Sequence, residues 1–373
     1  MDLDAIAHNI RMIRTRIGQK PRIMAVVKAD AYGHGALEVS KIALKAGASY
    51  LGVAIPEEGQ ALREGGISAP ILIFGSLQPG EERKIAQYDL TQTVFTIEAV
   101  KALDRAASRY GKTIKVHIKV DTGMGRIGAK PETAVEIARE ILACKGLVLE
   151  GVYSHFATAD KNDNKGYASF QLSEFKRTLR LLEESGIFVP LKHIANSAAI
   201  LNYPGSYFDM VRPGIILYGL PPSPDTPEFS QFKPAMTLKT KIAYVKEVIP
   251  GSSISYGRTF IAKRRMKVAT LPVGYGDGYS RILSNKAEVL IRRKRVPQIG
   301  TICMDMCMID VTDIDDVREG EEVILFGNDI SATEIAQKMG TINYEVVCMV
   351  EKRVPRIYVE EGHIKNGKSF SDI

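Results

Sequence analysis

Cysteine is scarce in this sequence, and long apolar runs are missing from it. The four cysteines among 373 residues form no C-x-x-C pair and show no spacing typical of metal ligands. No segment approaches the run of about 20 apolar residues that a membrane-spanning helix requires. Charged and apolar residues alternate in the opening segment MDLDAIAHNIRMIRTRIG, unlike in a signal peptide. We therefore expect a cytoplasmic protein with reduced thiols, no membrane anchor and no metal site.

Strong clustering of charge is also lacking, as are repeats, low-complexity segments and long linkers. Lysine and arginine number 50 against 43 acidic residues, which gives a formal net charge of +7. Only KRR at 263–265 and RRKR at 292–295 bring basic residues together, and no basic face is interleaved with aromatic residues. We therefore expect no nucleic-acid partner, and the positive balance suits anionic ligands such as phosphate and carboxylate equally well.

From Ile23 onward the chain repeats one pattern: a short apolar run, a polar or glycine-rich turn, and a segment with helical apolar spacing. The eight runs are IMAVVKA, YLGVAI, ILIFG, TQTVF, IKVHIKV, LEGVYSHF, LKHIANS and MVRPGIILYG. Between the first two, apolar residues from Leu37 to Ala46 mark one face of a helix that Gly47 can end. Eight apolar strands alternating with helices predict an α/β fold, a (β/α)₈ TIM-like barrel with parallel strands buried on both faces.

The alternation of strands and helices stops near residue 230, and the pattern of the remaining sequence indicates a second domain. Short β segments follow one another, separated by glycine, aspartate and basic turns: MTLKTKIAYVKEVI, KVATLPVG, EVLIRRKRVPQIG, MCMIDV and EEVILFG. One helical stretch around 332–339 interrupts them. The sequence therefore predicts a barrel over residues 1–230 and a mostly β domain over 231–373.

Unusual polar residues stand at strand ends, where barrel enzymes bind their ligands. Lys28 follows five apolar residues, and partial desolvation there would lower its pKa and make the amine a nucleophile or base. A lysine reaching from a strand end to solvent explains that position equally well. Arg212, inside MVRPGIILYG, is costly to bury unless a polar or anionic group faces it. His155 and Ser197 end two further strands; any one of these could be a satisfied core residue, but four strand ends together indicate a site.

Weaker signals come from loops and from the β domain. ADAYGHG supplies glycines and the hydroxyl donor Tyr32, and the glycine-rich DTGMGRIG holds Arg126, either a partner for a substrate carboxylate or an exposed arginine on a tight turn. Lys119 lies in an alternating strand and could point outward. In the second domain SYGRT, GYGDGY and ICMD place Tyr256, Tyr275 and Met304 at strand ends or turns, and their spacing alone indicates only β-hairpins.

Taken together, these segments resemble the alanine racemases nearly from end to end. AVVKADAYGHG, DTGMGRIG, SHFATAD, HIANSAA, MVRPGIILYGL, SISYGRT, ICMD, INYEV and RVPR follow in that family's order. The resemblance implies a pyridoxal-phosphate isomerase that interconverts L-alanine and D-alanine and supplies D-alanine for peptidoglycan in cell wall biosynthesis. It also implies a barrel, a C-terminal β domain, and a head-to-tail homodimer in which each β domain contributes to the partner subunit's active site.

The resemblance also assigns roles to residues that hold the cofactor. Lys28 would form the Schiff base with pyridoxal phosphate and act as one of two catalytic bases, with Tyr256 as the other. Arg212 would face the pyridine nitrogen, with His155 behind it as an orienting neighbour. The residues that would hold the phosphate are Tyr32, Ser197, Gly214, Ile215 and Tyr344.

Further roles concern the substrate. The resemblance implies that Arg126 and the backbone around Met304 meet the substrate carboxylate, in a small pocket near Tyr275. Lys119 matches the lysine that the family carbamylates to brace the carboxylate-binding arginine. Met306 departs from the family pattern, which has glutamine after ICMD.

Other functions remain open on the sequence alone. A racemase with a broader substrate range would also accept serine, because one small group gives only about 10 to 200-fold discrimination. Decarboxylases of basic amino acids share the pyridoxal barrel and β domain, but the arginine opposite the cofactor and the SYGRT tyrosine argue against them. A non-catalytic pyridoxal-phosphate carrier could keep Lys28 alone, although such carriers generally lack a second domain.

Overall fold

The eight predicted strands are all present in the computed structural model, which describes residues 1–161, 166–224, 226 and 229–365. They are β1 Arg22–Val26, β2 Tyr50–Val53, β3 Ile71–Ile73, β4 Thr91–Val94, β5 Ile114–Lys119, β6 Leu147–Tyr153, β7 Leu191–His193 and β8 Met210–Val211. Every neighbouring pair in the order β7-β6-β5-β4-β3-β2-β1-β8 is parallel. The strands are almost entirely buried, as short continuous apolar runs in a parallel sheet predict.

Backbone hydrogen bonds between the two outer strands close this sheet into a barrel. The N–H of Asp209 donates to the carbonyl of Lys192 at 3.0 Å, and the N–H of Arg212 donates to that of Ala195 at 2.9 Å. Large side chains fill the interior: Met24, Tyr50, Leu72, Tyr153, Leu191 and Met210, with Phe74 packed against them. The predicted fold class is therefore confirmed, and the barrel is a packed core with its binding surface at the strand ends.

Helices follow most strands, and a helix that was not predicted precedes the first strand. The helices of this part of the chain are α1 Leu3–Ile17, α2 Lys28–Tyr32, α3 Ala36–Lys45, α4 Pro56–Glu64, α5 Glu82–Gln87, α6 Ile97–Tyr110, α7 Pro131–Ala143, α8 Gly166–Glu184 and α9 Ser197–Asn202. In α1 the residues Ile6, Ile10, Ile13 and Ile17 are buried at helical spacing, so the opening segment is amphipathic. No helix in the described ranges is long and apolar enough to span a membrane.

The remainder of the chain forms a seven-stranded antiparallel sheet in the order β10-β13-β16-β15-β14-β17-β9. Its strands are β9 Leu238–Lys241, β10 Tyr244–Val248, β13 Met266–Leu271, β14 Glu288–Ile291, β15 Lys294–Ile299, β16 Cys307–Asp310 and β17 Glu322–Phe326. Two small hairpins, β11 Ser253–Ile254 with β12 Phe260–Ile261 and β18 Val359–Glu360 with β19 His363–Ile364, accompany it. The predicted helix is present as α10 Ala332–Met339, and α11 Asn343–Cys348 was not predicted.

The chain divides into two compact units, and the division is not a single cut. One unit, called here the barrel unit, comprises Ala5–Ala31 and Gly35–Lys233. The other, the β unit, comprises Met1–Asp4, Tyr32–His34 and the chain from Pro234 onward. The short segment that follows Lys28 therefore belongs partly to each unit.

Both basic clusters of the sequence lie in the β unit beside acidic side chains. Ion pairs join Arg264 to Asp313, Arg265 to Glu247, Arg292 to Glu321 and Arg295 to Glu334. These acidic neighbours offset much of the positive charge that binding to a nucleic-acid backbone would use.

Candidate active site

Arg212 follows β8 at the carboxyl end of the barrel, and its guanidinium is buried among hydrogen-bond acceptors. One terminal nitrogen donates to Nδ1 of His193 at 2.7 Å. The other donates to the carbonyls of Ser154 at 2.7 Å and Ile194 at 3.1 Å, and lies 3.2 Å from Nδ1 of His155. Burial lowers the pKa of Arg212 to about 10, so the group stays cationic near neutral pH. Within the described residues its Nε–H has no partner, which leaves one directed donor for a ligand.

His155 follows β6 and remains neutral beside this cation. Burial first, then the charges of Arg212, Lys119, Arg126 and Lys28, lower the pKa of His155 well below its ordinary value. Because a guanidinium only donates, Nδ1 of His155 accepts from Arg212 and its proton lies on Nε2. His155 thus orients Arg212 without adding a second positive charge.

Lys119 is the last residue of β5 and points into the barrel, so the outward orientation that the sequence left open is wrong. Only 3% of its surface is exposed, and its Nζ lies 5.2 Å from the ring centroid of Tyr153. Burial is the largest cause that lowers the pKa of Lys119 to about 7; the charges of Arg212 and Arg126 act in the same direction, and Asp121 opposes them. At neutral pH much of this amine is therefore unprotonated, unlike an exposed lysine with a pKa of about 10.4.

The DTGMGRIG loop carries Arg126 on a braced backbone. The carboxylate of Asp121 accepts from the N–H groups of Gly123 at 2.9 Å and Gly125 at 3.1 Å. At Gly128, where φ is +132°, an added Cβ would lie 2.5 Å from the backbone nitrogen of Asp121, so only glycine fits. Arg126 itself is exposed and has no ion-pair partner among the described residues, which leaves it available to an anionic substrate group.

Lys28 stands half-buried at the end of β1, where a left-handed helical turn begins. Ala29, Asp30 and Ala31 have φ values of 52°, 51° and 54°. A left-handed conformation costs L-residues about 1–2 kcal/mol each, so the surrounding structure must hold this turn in place. Such strain is found where a backbone must present a functional group in one orientation.

Glu58 on α4 supplies much of that restraint. Its carboxylate accepts from the N–H of Ala29 at 2.6 Å and from the N–H of Ala54, after β2, at 2.7 Å. The carboxylate of Asp30 accepts from the N–H of Ala36 at 2.7 Å. The turn after Lys28 is thereby tied to the neighbouring strand and to the helix that follows it.

The residues expected to hold a phosphate are divided between the barrel unit and the β unit. In the barrel unit the N–H of Gly214 donates to the hydroxyl of Ser197 at 2.9 Å, and Ile215 begins a 3₁₀ turn whose first N–H groups have no partner within the turn. In the β unit the rings of Tyr32 and Tyr344 lie 6.0 Å apart between centroids. Burial raises the pKa of Tyr32, so its phenol stays protonated and can donate.

Tyr256, Tyr275 and Met304 all lie in the β unit and are exposed. Tyr256 occupies the turn between β11 and β12, its carbonyl accepts from the hydroxyl of Thr301 at 2.9 Å, and 73% of its surface is exposed. The N–H of Gly276, next to Tyr275, donates to the carbonyl of Met304 at 2.9 Å. The backbones of these turns are thus fixed while the side chains of Tyr256, Tyr275 and Met304 face outward.

Residues that sequence reasoning missed surround Arg212 in the barrel interior. Tyr153 stacks on His193 with ring centroids 4.8 Å apart and planes 1° apart, and its ring also lies under Arg212 at 5.2 Å. His117 and Glu150 continue from His193 away from Arg212. The available signal was a titratable residue inside each of three apolar strands, a position where polar side chains are rare unless they are paired.

Nearly the whole chain is similar in sequence to known alanine racemases. The family model described as alanine racemase, N-terminal domain, matches residues 1–222, and the one described as alanine racemase, C-terminal domain, matches residues 235–358. An alanine racemase from Halothermothrix orenii is 49% identical over 362 residues, which cover 96% of this chain and 95% of the relative. An enzyme described as alanine racemase 2 from Caldanaerobacter subterraneus is 48% identical, and the aligned region covers 100% of this chain and 97% of that enzyme.

Solved structures show the same similarity in three dimensions. The alanine racemase of Clostridium difficile is 40% identical with a TM-score of 0.94, over 98% of this chain and 96% of that one. The alanine racemase of Bacillus anthracis with bound L-Ala-P is 42% identical with a TM-score of 0.91, over 97% of this chain and 95% of that one.

Proposed function

The chain belongs to the alanine racemase family, whose members are isomerases that depend on pyridoxal phosphate, and we propose that Lys28 and Tyr256 are the two bases of its reaction. It interconverts L-alanine and D-alanine. Racemisation requires that a proton leave the α-carbon on one face and return on the other, so two bases on opposite faces are the minimum. Pyridoxal phosphate, when bound, supplies an electron-withdrawing ring that acidifies the α-hydrogen of the attached amino acid.

The donor groups of this chain fit that cofactor. Lys28 offers an amine for a Schiff base at the end of β1. Ser197 and the amide of Ile215 suit a phosphate, as do the protonated phenol of Tyr32 and its neighbour Tyr344. The observation that carries the proposal is the buried guanidinium of Arg212, because its Nε–H has no partner among the described residues and suits a ring nitrogen as acceptor.

Arg212 controls how the reaction ends. A guanidinium does not readily give up its proton, so Arg212 would donate a hydrogen bond to the ring nitrogen of the bound cofactor instead of protonating it. Arg212 would thereby limit electron withdrawal by the ring and suppress transamination, a side reaction that stronger withdrawal promotes.

We expect Arg212→Glu to lower the racemisation kcat by about 10²-fold, the effect of losing one preorganised donor, and to raise the fraction of turnovers that end in transamination. D-alanine is quantified by chiral chromatography, and pyruvate with the aminated cofactor reports transamination. Arg109→Glu makes the same charge change on the surface and should behave as the parent does. An unchanged partition between the two reactions in Arg212→Glu would contradict this role.

We further propose that Lys119 is carbamylated. Its unprotonated Nζ attacks the carbon of CO₂, one N–H proton passes to solvent, and the resulting carbamate is an anion. The anion would lie beside Arg212 and Arg126, which already act on Lys119 as like charges. The modification therefore replaces a repulsive arrangement with an attractive one and braces Arg126 for the substrate carboxylate.

Carbamylation of Lys119 should depend on pH in a defined direction. Because the pKa of Lys119 is lowered to about 7, the reactive amine is abundant above that pH and scarce below it. With carbon-13 bicarbonate, a carbamate resonance should grow as the pH rises through about 7, and Lys115→Met on the same strand should retain it. Lys119→Met should abolish the resonance and raise the KM for alanine; a resonance that persists there would assign the carbamate to another lysine.

We propose a homodimer in which Tyr256 of one subunit serves the barrel of its partner. Tyr256 is 73% exposed, Met304 54%, Met306 51% and Tyr275 42%, so these turns expose four large apolar or aromatic side chains. Exposed apolar patches on a stable protein usually mark an interaction surface. A second copy of the chain would cover this face and complete two equivalent sites.

Subunit complementation tests both the two-base proposal and the shared site. Chains carrying Lys28→Ala and chains carrying Tyr256→Phe, with different affinity tags, are co-expressed and the heterodimer is purified. If each site takes Lys28 from one subunit and Tyr256 from the other, one of the two sites is intact and about half of the parent activity returns. If both bases come from the same chain, neither site is intact and the heterodimer is as inactive as the two homodimers.

Alanine is the proposed main substrate, and we place the enzyme in the cytoplasm, where D-alanine would enter peptidoglycan synthesis. The Bacillus anthracis neighbour holds L-Ala-P, and a Clostridium difficile structure is a complex with cycloserine, both of them small ligands. Serine differs from alanine by one hydroxyl, so serine should be a slower substrate with discrimination of about 10 to 200-fold. The cysteines of the described residues are all free thiols, as a reducing compartment requires.

A further inference from the structure

A continuous chain of hydrogen bonds leads from Arg212 through the barrel interior to Glu150. The Arg212 guanidinium lies 2.7 Å from Nδ1 of His193, and Nε2 of His193 lies 2.9 Å from Nδ1 of His117. Nε2 of His117 in turn lies 3.1 Å from the carboxylate of Glu150. Both imidazoles are fully buried, so water does not compete for these bonds.

The direction of every bond in this chain is fixed by chemistry. A guanidinium has no acceptor, so Nδ1 of His193 must accept and its single proton lies on Nε2. That proton is donated to Nδ1 of His117, which places the proton of His117 on Nε2, facing Glu150. Burial lowers the pKa of both histidines, so each is neutral and carries one ring proton. One pair of tautomers satisfies all three links.

The carboxylate of Glu150, at the end of this path, stays ionised. Burial by itself would raise the pKa of Glu150, but hydrogen bonds from His117 and Tyr50 outweigh it and lower the pKa to about 2. The hydroxyl of Tyr50 donates to Glu150 at 2.6 Å, and Nζ of Lys115 lies 3.4 Å from the other oxygen. The chain therefore runs from a cation to an anion, an arrangement in which each bond polarises the next in the same sense.

Local backbone geometry aims Glu150 at this chain. The pairing of β5 with β6 shifts register between Val116 and His117, so that Val116 faces Leu149 and His117 faces Gly151. Glu150 is the extra residue, and such a bulge turns a side chain away from simple alternation. A Cβ on Gly151 would lie 2.6 Å from the His117 ring, so glycine is needed for the imidazole to lie against β6.

We propose that Glu150 is a positioning residue for Arg212, acting through His117 and His193 to hold the one tautomer of His193 that presents a lone pair to the guanidinium. Without the carboxylate, His117 has no fixed acceptor, and its proton is free to move to Nδ1. An N–H of His193 would then meet an N–H of His117, and His193 would shift its own proton toward Arg212. Arg212 would lose a partner and its fixed orientation toward the ring nitrogen, an effect that rests on the role proposed for Arg212 above.

The test compares Glu150→Leu with Tyr50→Phe in cofactor-loaded enzyme labelled with nitrogen-15 histidine. Glu150→Leu removes the acceptor of His117 together with the contacts of Tyr50 and Lys115, whereas Tyr50→Phe removes only the Tyr50 hydroxyl and leaves the path from Glu150 to Arg212 intact. In the parent and in Tyr50→Phe, His193 and His117 should show Nε2 protonated and Nδ1 unprotonated. In Glu150→Leu a second tautomer should appear, racemisation should fall about tenfold, the scale of one lost hydrogen bond to a charged group, and the fraction of transamination should rise. Glu150→Gln keeps one acceptor oxygen, so its tautomer populations, racemisation rate and transamination fraction should lie between those of Glu150→Leu and the parent. If Glu150→Leu does not fold, Glu150→Gln is compared with Tyr50→Phe instead.

Unchanged tautomers and an unchanged partition in Glu150→Leu and Glu150→Gln would overturn the proposal, as would equal changes in Tyr50→Phe. The tautomers are observed without turnover, so they report on the hydrogen-bond chain independently of the reaction. A further outcome is that the histidine tautomers shift in Glu150→Leu while Arg212→Glu leaves the ratio of racemisation to transamination unchanged. That result would support the hydrogen-bond path from Glu150 to Arg212 and contradict the proposed role of Arg212.

Discussion

Lys28→Ala should abolish the formation of D-alanine from L-alanine, with an expected loss of about 10⁴-fold or more. One general base contributes about 10² to 10⁴-fold, and Lys28 is also the residue proposed to form the Schiff base with the cofactor. Both contributions disappear together. D-alanine is quantified by chiral chromatography after incubation of the purified, cofactor-loaded protein with L-alanine, and the visible absorption of the cofactor reports its attachment.

Lys41→Ala is the matched control for this change. Lys41 is exposed and pairs with Glu38 on the same helix, so its removal should leave both activity and cofactor absorption as in the parent. Residual racemisation by Lys28→Ala above the rate of free cofactor would show that another amine carries the reaction.

Tyr256→Phe should lower racemisation by about 10² to 10⁴-fold, because it removes one of two bases while keeping the ring. The distinctive expectation concerns exchange with deuterated water. Lys28 still removes the α-proton of one enantiomer, so that enantiomer should incorporate deuterium without inversion, while the other should exchange slowly.

Tyr244→Phe is the control, since Tyr244 is a similarly exposed tyrosine of the β unit and has no proposed role. Proton NMR of the α-position, followed separately for L-alanine and D-alanine, measures both exchange rates. Equal loss of exchange for the two enantiomers would mean that Tyr256 is not the base for one face.

The order of strands was predictable because each strand is a short continuous apolar run between turn residues. IKVHIKV alternates, but Ile114 and every residue from Val116 to Lys119 are buried, so the alternation alone did not show which face of the strand carries Lys119 into the barrel. Helix α1 escaped prediction because its charges mask the buried positions Ile6, Ile10 and Ile13. Helix α11 is only six residues long, and a segment of that length carries little periodic signal.

The sequence by itself determined the family, the barrel and the β domain, and it supplied the residues for which catalytic and binding roles are proposed. Lys28, His155, Ser197 and Arg212 stand at strand ends, and a barrel gathers strand ends whatever their spacing along the chain. The strands, the turns and the polar residues at strand ends are patterns among neighbouring residues, so they can be read from the sequence alone.

Only the tertiary structure decided the environment of those groups. The neutral state of His155, the lowered pKa of Lys119 and the path from Arg212 to Glu150 depend on side chains from separate strands meeting in a dry interior. Desolvation and hydrogen-bond direction are properties of that interior, where an effective dielectric far below that of water strengthens each interaction. Desolvation and hydrogen-bond direction depend on several side chains together, so no single residue in the sequence reveals them.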